Sequence, residues 1–346
     1  MGSRTPNLGA VVTFSKDDDG VWTMTLDESD AQERNPVFDD TVPRYLNAFD
    51  PAFVRAAEAD EAEFVKALLR IWSMQEAGWD PYETTLRAVP AMQKLHVLIP
   101  EGDEWYETSR HLALWTYGHV VEASEPYAML ADLLDIAGGG YFQGTRFPVP
   151  LRRPRQAELR PPMRPQRRDE KVTELRRLAE AADLQDVLTP LDEVWDRQLR
   201  NAVFHADYTI HGGETRIPAE GKRYTHAELD TLINHALAYH EALAVLRKIY
   251  RLAYREPATI PIFRRRTIEG GAEGEFNLEE DVAVVMVRDG VGAIGLKHPH
   301  TAEEIAAGAI PWHLAHLFAD EAEALQADPT LAHFPARDQL SNLLLQ

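Results

Sequence analysis

The chain has 346 residues, contains no cysteine and carries a formal net charge of −20. The lack of cysteine excludes disulfides, thiolate metal sites and a cysteine nucleophile, and the acidic charge disfavours general coating of nucleic acid because it repels phosphate groups. The sequence shows no apolar signal region at its start and no run near the ~20 apolar residues of a membrane span, so we expect a cytoplasmic protein with no membrane partner.

Residues 1–100 are predicted to form an N-terminal region with a β-hairpin and helices. Two β-branched-rich runs, Ala10–Phe14 and Val21–Leu26, flank an acidic turn that ends in Gly20, as is typical of a hairpin. A helix is predicted to begin at Asp50-Pro51, because proline is favoured in the first turn of a helix. This predicted helix ends near Gly78. The segment from Asp80 to Pro100 has no clear pattern.

Residues 101–255 are predicted to form a helical domain in which four helices surround one core. Apolar residues at helical spacing predict a long helix from Asp103 to Ile136, which Pro126 bends or divides and Gly138 ends. Thr225 and Glu228 form a capping-box pattern at the start of the last helix, which reaches about Tyr254. The helices between them are predicted over Asp169–Ala182 and Leu184–Ala206.

An insertion rich in arginine and proline, at about residues 145–168, interrupts this domain. Its composition favours an extended, exposed connection. Residues 151–177 contain ten Lys or Arg and four Asp or Glu, which gives 10 − 4 = +6 within an acidic protein. Together with Arg264-Arg265-Arg266, this basic segment either guides RNA or is a solvated linker or partner contact, and the second interpretation is favoured.

Residues 256–346 are predicted to form a small α+β unit. The Asp289-Gly290 pair between Asp281–Arg288 and Val291–Lys297 is a strong hairpin signal. Helices are predicted over Thr301–Ala307 and Pro311–Gln326. The expected fold class is therefore mainly α, with a small hairpin-containing region before a four-helix bundle and a small α+β unit after it.

The sequence Arg200-Asn201-Ala202-Val203-Phe204-His205 places chemically active side chains at the end of a predicted helix. At ~100° per residue, Arg200 and His205 lie about 140° apart around a continuous helix and share a face only if the helix ends between them. Asn201 and His205, at positions i and i+4, can meet on one side.

This Arg-x4-His pattern, with a polar residue after the arginine, resembles the motif of the HEPN family. The resemblance covers about Asp103–Tyr254 and implies a HEPN-like four-helix bundle with Arg200, Asn201 and His205 as the catalytic residues. It further implies a metal-independent endoribonuclease that works as a homodimer, with a role as a toxin, an anti-phage effector or an RNA-processing factor. An antitoxin or another partner protein would fit such a role.

The chemistry of these residue types agrees with that implication. A neutral imidazole can remove the proton of an RNA 2′-hydroxyl, and a guanidinium can hold the phosphate as negative charge develops on it. In this scheme His205 is the general base, Arg200 is the electrostatic clamp and Asn201 orients either group. The product would end in a 2′,3′-cyclic phosphate, and DNA would resist cleavage.

A non-catalytic interpretation stays open beside it. A histidine at a helix C-terminus interacts favourably with the helix dipole, and an arginine there can satisfy carbonyls or an acidic partner. The alternative function is a HEPN-like protein-interaction or regulatory module, and the acidic surface slightly favours it.

No cofactor or metal site is expected. The histidines of His298-Pro299-His300 and His313-x-x-His316 lack a nearby carboxylate or cysteine signature, so loop and surface positions are favoured for them. His226, His235 and His240 are interpreted as helix-surface or core-edge residues. The glycine-rich segments lack the context of a phosphate-binding loop.

Overall fold

Helices make up most of the described chain. The computed structural model describes residues 12–16, 21–26, 36–72, 81–100, 102–143, 146–150, 163–165, 167–254, 258–265, 278–288, 291–297 and 312–316. Its α-helices are α1 Pro36–Ala59, α2 Glu61–Trp72, α3 Pro81–Val97, α4 Tyr106–Glu122, α5 Ser124–Ala137, α6 Arg168–Ala181, α7 Thr189–Val194, α8 Arg197–His205 and α9 His226–Ala253. Its strands are β1 Val12–Lys16, β2 Trp22–Leu26, β3 Pro148–Pro150, β4 Met163–Pro165, β5 Thr209–His211, β6 Glu214–Ile217, β7 Lys222–Thr225, β8 Ala258–Arg265, β9 Leu278–Arg288, β10 Val291–Lys297 and β11 Trp312–His316.

The N-terminal hairpin is confirmed, whereas the predicted start of the first helix is wrong. Strands β1 and β2 pair antiparallel, with Val12 opposite Leu26. Helix α1 starts at Pro36 and contains Pro51 in its interior, where the missing N–H removes one intrahelical hydrogen bond. The burial of Phe49 and Phe53 on either side of that proline offsets the loss.

Helix boundaries within residues 101–255 follow local capping signals. The predicted division near Pro126 is confirmed, because α4 ends at Glu122 and α5 begins at Ser124. The capping box of Thr225 and Glu228 is present at the start of α9. The single helix predicted over Leu184–Ala206 is wrong: the chain forms a 3-10 turn, α7 and α8, since the Asp196 side chain caps a new helix.

The hydrophobic core is continuous across residue 100. Helix α1 packs along α9 and α5, and α2 packs on α5, so helices from both sides of that position bury their apolar faces together. The largest fully buried side chains in the described chain come mainly from α1 and α2. The helix that carries the Arg-x4-His motif packs on α4 at the edge of this assembly.

A three-stranded antiparallel sheet, absent from the sequence-based prediction, connects α8 to α9. Strand β6 lies between β5 and β7, with Thr209 opposite Arg216 and Arg216 opposite Arg223. Ile217 and Tyr224 are buried in the common core. The two connections use Gly212, Gly213 and Gly221 at positive φ, a conformation that glycine adopts without a Cβ clash.

The C-terminal region contains a four-stranded sheet in the order β11-β10-β9-β8. The predicted hairpin around Asp289-Gly290 is confirmed by the antiparallel pairing of β9 with β10. The helix predicted over Pro311–Gln326 is wrong at Trp312–His316, which pairs with β10 as a strand, because a short apolar run suits either structure and the free edge of β10 supplies backbone partners. The helix predicted over Thr301–Ala307 lies outside the described residues.

The segment around the predicted insertion begins inside the core. The side chain of Arg146 is 3% exposed and Phe147 is buried, so the exposed connection predicted from composition does not hold at these two residues. Strands β3 and β4 then pair antiparallel. Residues 151–162, which include part of the basic segment, lie outside the described residues.

A buried ion-pair network joins α2 to α5. The carboxylate of Asp132 is fully buried and accepts a hydrogen bond of 2.8 Å from Arg70 Nε. Arg146 Nε lies 3.7 Å from the other carboxylate oxygen, which also accepts a 3.2 Å hydrogen bond from the backbone N–H of Gln143. This network ties the start of the insertion to the core.

Burial of His240 on α9 makes the stability of the fold sensitive to acid. Burial and the nearby His119 imidazole lower the pKa of His240 to about 4, below the ~6.5 of an unfolded histidine. The unfolded state therefore binds the proton more readily than the folded state does. The contribution of neutral His240 to the free energy of unfolding is fully present above about pH 6.5 and is lost as the pH falls through about 4. We expect wild type to lose about 2–3 kcal/mol through this group between pH 7.5 and pH 4.5.

Urea unfolding at the two pH values measures this loss. The His240→Leu variant should lose less stability than wild type over the same interval, by roughly that amount. A variant of the exposed His211, His211→Gln, is the matched control and should keep the wild-type difference. Equal pH dependence in wild type and His240→Leu would show that His240 is not the responsible group.

None of the helices in the described ranges combines the length and the apolar character needed to cross a membrane.

Candidate active site

Helix α8 is held in place by the Asp196 carboxylate, which serves as both cap and anchor. One oxygen accepts hydrogen bonds of 3.0 Å from the backbone N–H groups of Gln198 and Leu199. The other accepts from Lys222 Nζ at 2.5 Å and from the Tyr224 hydroxyl at 2.7 Å. Burial alone would raise the pKa of Asp196, but the hydrogen bonds from Lys222, the Leu199 N–H and Tyr224 together outweigh it, so the pKa lies below its usual value. The carboxylate thus links the start of α8 to strand β7.

The guanidinium of Arg200 is oriented by two neighbours. Its Nε and Nη2 atoms both lie 2.6 Å from Glu122 Oε2 at the end of α4. Its Nη1 donates a 2.8 Å hydrogen bond to Asn201 Oδ1. The hydrogen bond with Glu122 raises the pKa of Arg200 above its already high value, so the side chain stays cationic. The guanidinium also lies 5.1 Å from the ring centroid of Phe204.

His205 is the last residue of α8, and its side chain is exposed to solvent. Ala206 follows in the left-handed conformation, with φ of 55°, which is uncommon for a residue with a Cβ. The N–H groups of Ala206 and Asp207 donate to the carbonyls of Val203 and Ala202, which closes the helix in a Schellman motif. This sharp end turns the chain away and leaves the imidazole accessible.

The structure places the three predicted residues on one helix but does not join them all. Because α8 continues through His205, the five-residue separation from Arg200 still corresponds to about 140° around the helix. Asn201 bonds with Arg200, and no hydrogen bond joins Asn201 to His205 in the part of the chain that the structure describes. Within one chain, Arg200 and Asn201 are therefore hydrogen-bonded to each other, and His205 makes no hydrogen bond with either of them in the described residues.

Exposed aromatic side chains surround this motif. Phe204 is 50% exposed and Trp115, on α4, is 56% exposed. The two helices approach closely at Gly118, where an added Cβ would lie 3.1 Å from Val203 Cγ1 and 3.3 Å from Phe204 Cε2. Aromatic residues are enriched in protein–protein interfaces, so these two rings mark a candidate contact surface.

A second polar contact joins α4 to the residue that precedes β5. His111 Nδ1 lies 2.7 Å from the Tyr208 hydroxyl, and the two rings are 5.5 Å apart. The His111 ring also lies 6.1 Å from that of Trp115. Residues 111, 115, 118 and 122 follow helical spacing along α4, so one face of that helix carries the aromatic residues and the carboxylate that faces Arg200.

Glu122 is the site residue that the motif alone does not identify. It lies 78 positions before Arg200, and only the packing of α4 on α8 brings the two together. An acidic residue at the end of a helix that precedes the motif helix is a weak signal by itself, since such residues are common on helix surfaces.

Two histidines of α9, His226 and His235, make polar contacts outside this arrangement. His226 Nε2 lies 2.9 Å from Asp230 and also contacts the buried Arg110. His235 Nδ1 lies 3.7 Å from Glu193. Within the described ranges, no group of three or more His, Asp or Glu side chains is placed to hold a metal ion. The His298-Pro299-His300 segment and the side chains of His313 and His316 lie outside what the structure describes.

A groove of about 530 Å³ runs between β7 and α9, on residues that include Arg223, Thr231 and His235. Its two carboxylates already accept hydrogen bonds within the chain. Glu193 accepts from Arg44 and Tyr45, and Glu228 accepts from the backbone and hydroxyl of Thr225. The groove therefore offers no free pair of carboxylates for acid–base chemistry.

Comparisons with protein-family models, with curated proteins and with solved structures found no match to this chain.

Proposed function

We propose that this protein is a HEPN-type endoribonuclease in which Arg200, Asn201 and His205 form the active site. The observation that carries the proposal is the Glu122–Arg200–Asn201 chain of contacts beside a solvent-exposed His205. A guanidinium held by two neighbours is preorganised to bind a phosphate, which lowers the cost of ordering it during reaction.

The reaction assigned to these residues is attack of a ribose 2′-hydroxyl on the adjacent phosphodiester. His205 removes the hydroxyl proton, the 2′-oxygen bonds to phosphorus, and the bond to the 5′-oxygen of the next nucleotide breaks. The leaving 5′-oxygen takes a proton from water, so the products are a 2′,3′-cyclic phosphate and a 5′-hydroxyl. Arg200 stabilises the negative charge on the phosphate, and Asn201 keeps the guanidinium in its orientation.

A homodimer would complete this site. Arg200 and His205 lie about 140° apart on α8, so a single helix does not aim both side chains at one phosphate. Two copies that meet on the exposed Trp115 and Phe204 would bury apolar surface and bring the Arg200 of one copy near the His205 of the other. A toxin or anti-phage role is part of this proposal through the family resemblance.

One observation favours the alternative, a non-catalytic interaction module. Glu122 already neutralises Arg200 within the chain, as a purely structural ion pair at a helix junction would. In that case the aromatic surface of Trp115 and Phe204 binds a partner protein, and His205 only caps the end of α8.

The two functions differ in their behaviour toward RNA. Purified full chain is incubated with a set of single-stranded and structured RNAs in EDTA, next to the His205→Ala and Arg200→Ala variants and a DNA of matched sequence. Cleavage of RNA alone by wild type, with 2′,3′-cyclic phosphate ends and little cleavage by either variant, supports the nuclease. Equal cleavage by all three proteins, or none by wild type, removes the proposed site.

A further inference from the structure

The β5–β6–β7 sheet presents two faces of different chemistry. Thr215, Ile217 and Tyr224 point to the core face and are buried. The opposite face lies toward solvent, because side chains alternate along each strand. The strand register arranges its residues in two rows across the sheet, which are Thr209–Arg216–Arg223 and His211–Glu214–Thr225.

The first row places two arginines directly opposite each other. Side chains at such positions have Cβ atoms about 4.5–5.5 Å apart, and like charges there destabilise a sheet. Arg216 is balanced by Glu214, which accepts from its Nε at 2.9 Å and from its Nη2 at 2.7 Å. Arg223 is exposed and has no ion pair among the described residues. Arg216 is thus neutralised by Glu214, whereas Arg223 presents its guanidinium to solvent and is able to bind an anionic group.

The row also lies close to the motif along the chain. Three residues separate His205 from Thr209, so their Cα atoms are at most ~14 Å apart. Each step across the sheet adds about 5 Å, which places Arg216 within ~19 Å and Arg223 within ~24 Å of His205. A nucleic-acid strand of a few nucleotides spans that distance.

We propose that the solvent face of β5–β7 binds the phosphodiester backbone of single-stranded RNA next to the proposed active site. This inference rests on the proposed function, for which it names the substrate-holding surface. Arg223 offers a planar guanidinium that can bind phosphate oxygens in bidentate fashion, and Arg216, whose Nε and Nη2 donate to Glu214, can add a contact through Nη1. The hydroxyl of Thr209 is a further donor on the same face. Backbone contacts of this type carry no base specificity, so the surface accepts RNA of varied sequence.

The test is binding of a fluorescent 2′-O-methyl oligonucleotide, which the proposed reaction cannot cleave, by the full chain at several KCl concentrations. The Arg216→Gln/Arg223→Gln variant is expected to bind about tenfold or more weakly at low salt. Its plot of log K against log salt should be less steep by about 1.4, that is ~0.7 for each lost phosphate contact with a single strand. Arg55→Gln/Arg87→Gln, which removes the same charge from exposed positions on α1 and α3, is the control and should bind like wild type.

Equal binding by wild type and the sheet variant would overturn the proposal, and so would an equal loss in the Arg55→Gln/Arg87→Gln control. The single variant Arg223→Gln, whose side chain has no ion pair in the described chain, keeps the test valid if the double variant folds poorly. Cleavage of unmodified RNA is measured separately. Wild type that binds through the sheet and does not cleave contradicts the nuclease alone, whereas a sheet variant that binds and cleaves like wild type contradicts the binding surface alone. Wild type that binds no RNA contradicts both.

Discussion

In the proposed endoribonuclease, replacement of Arg200 by lysine is expected to slow RNA cleavage by about 10²–10³-fold, although the positive charge is kept. Three guanidinium nitrogens make the contacts to Glu122 and Asn201, and a single ammonium cannot reproduce that planar arrangement. Loss of one preorganised group that stabilises transition-state charge has an effect of this size. The measurement is the single-turnover rate of RNA cleavage at saturating protein.

The lysine variant separates a catalytic role of Arg200 from a structural one. A lysine retains an ion pair with Glu122, so the free energy of unfolding should change by less than about 1 kcal/mol. Arg176→Lys, at a surface ion pair with Asp192, is the matched control for both measurements. Cleavage by Arg200→Lys at nearly the wild-type rate would contradict the proposed clamp and favour a simple helix-junction ion pair.

Replacement of Asp132 by alanine is expected to destabilise the fold by about 3–5 kcal/mol. The substitution leaves the buried guanidiniums of Arg70 and Arg146 near each other without their shared carboxylate. Arg70 would still donate to the carbonyl of Gln143, and Arg146 would still contact Asp135, which keeps the loss from being larger. Burial raises the pKa of Asp132 to about 6, so unfolding by urea is measured at pH 8, where the carboxylate is ionised.

Two further variants show whether burial is the reason for this effect. Asp132→Asn keeps the shape and removes the charge, and should be less disruptive than alanine because its amide oxygen still accepts a hydrogen bond. Asp192→Ala breaks an ion pair whose side chains are 50% and 59% exposed, and should cost less than about 1 kcal/mol. A similar cost at Asp132 and Asp192 would show that the buried network contributes no more than a surface pair.

Elements with a strong local signal could be predicted from the sequence. The capping box of Thr225 and Glu228, the glycine stop at Gly138 and the Asp289-Gly290 hairpin each depend on residues close together in the chain. Local rules were misleading where packing competes with them. Pro51 looks like the start of a helix, yet burial of its neighbours continues α1 through it.

The composition of the candidate site was only partly predictable for the same reason. The sequence by itself determined that Arg200, Asn201 and His205 lie near the end of one helix, because their spacing and the helix pattern are local properties. Tertiary structure decided that Glu122 meets Arg200, since close approach of α4 and α8 at Gly118 joins residues 78 positions apart. It also decided that Arg216 and Arg223 share one exposed face, because strand register, which local propensity does not specify, sets which side chains stand opposite each other.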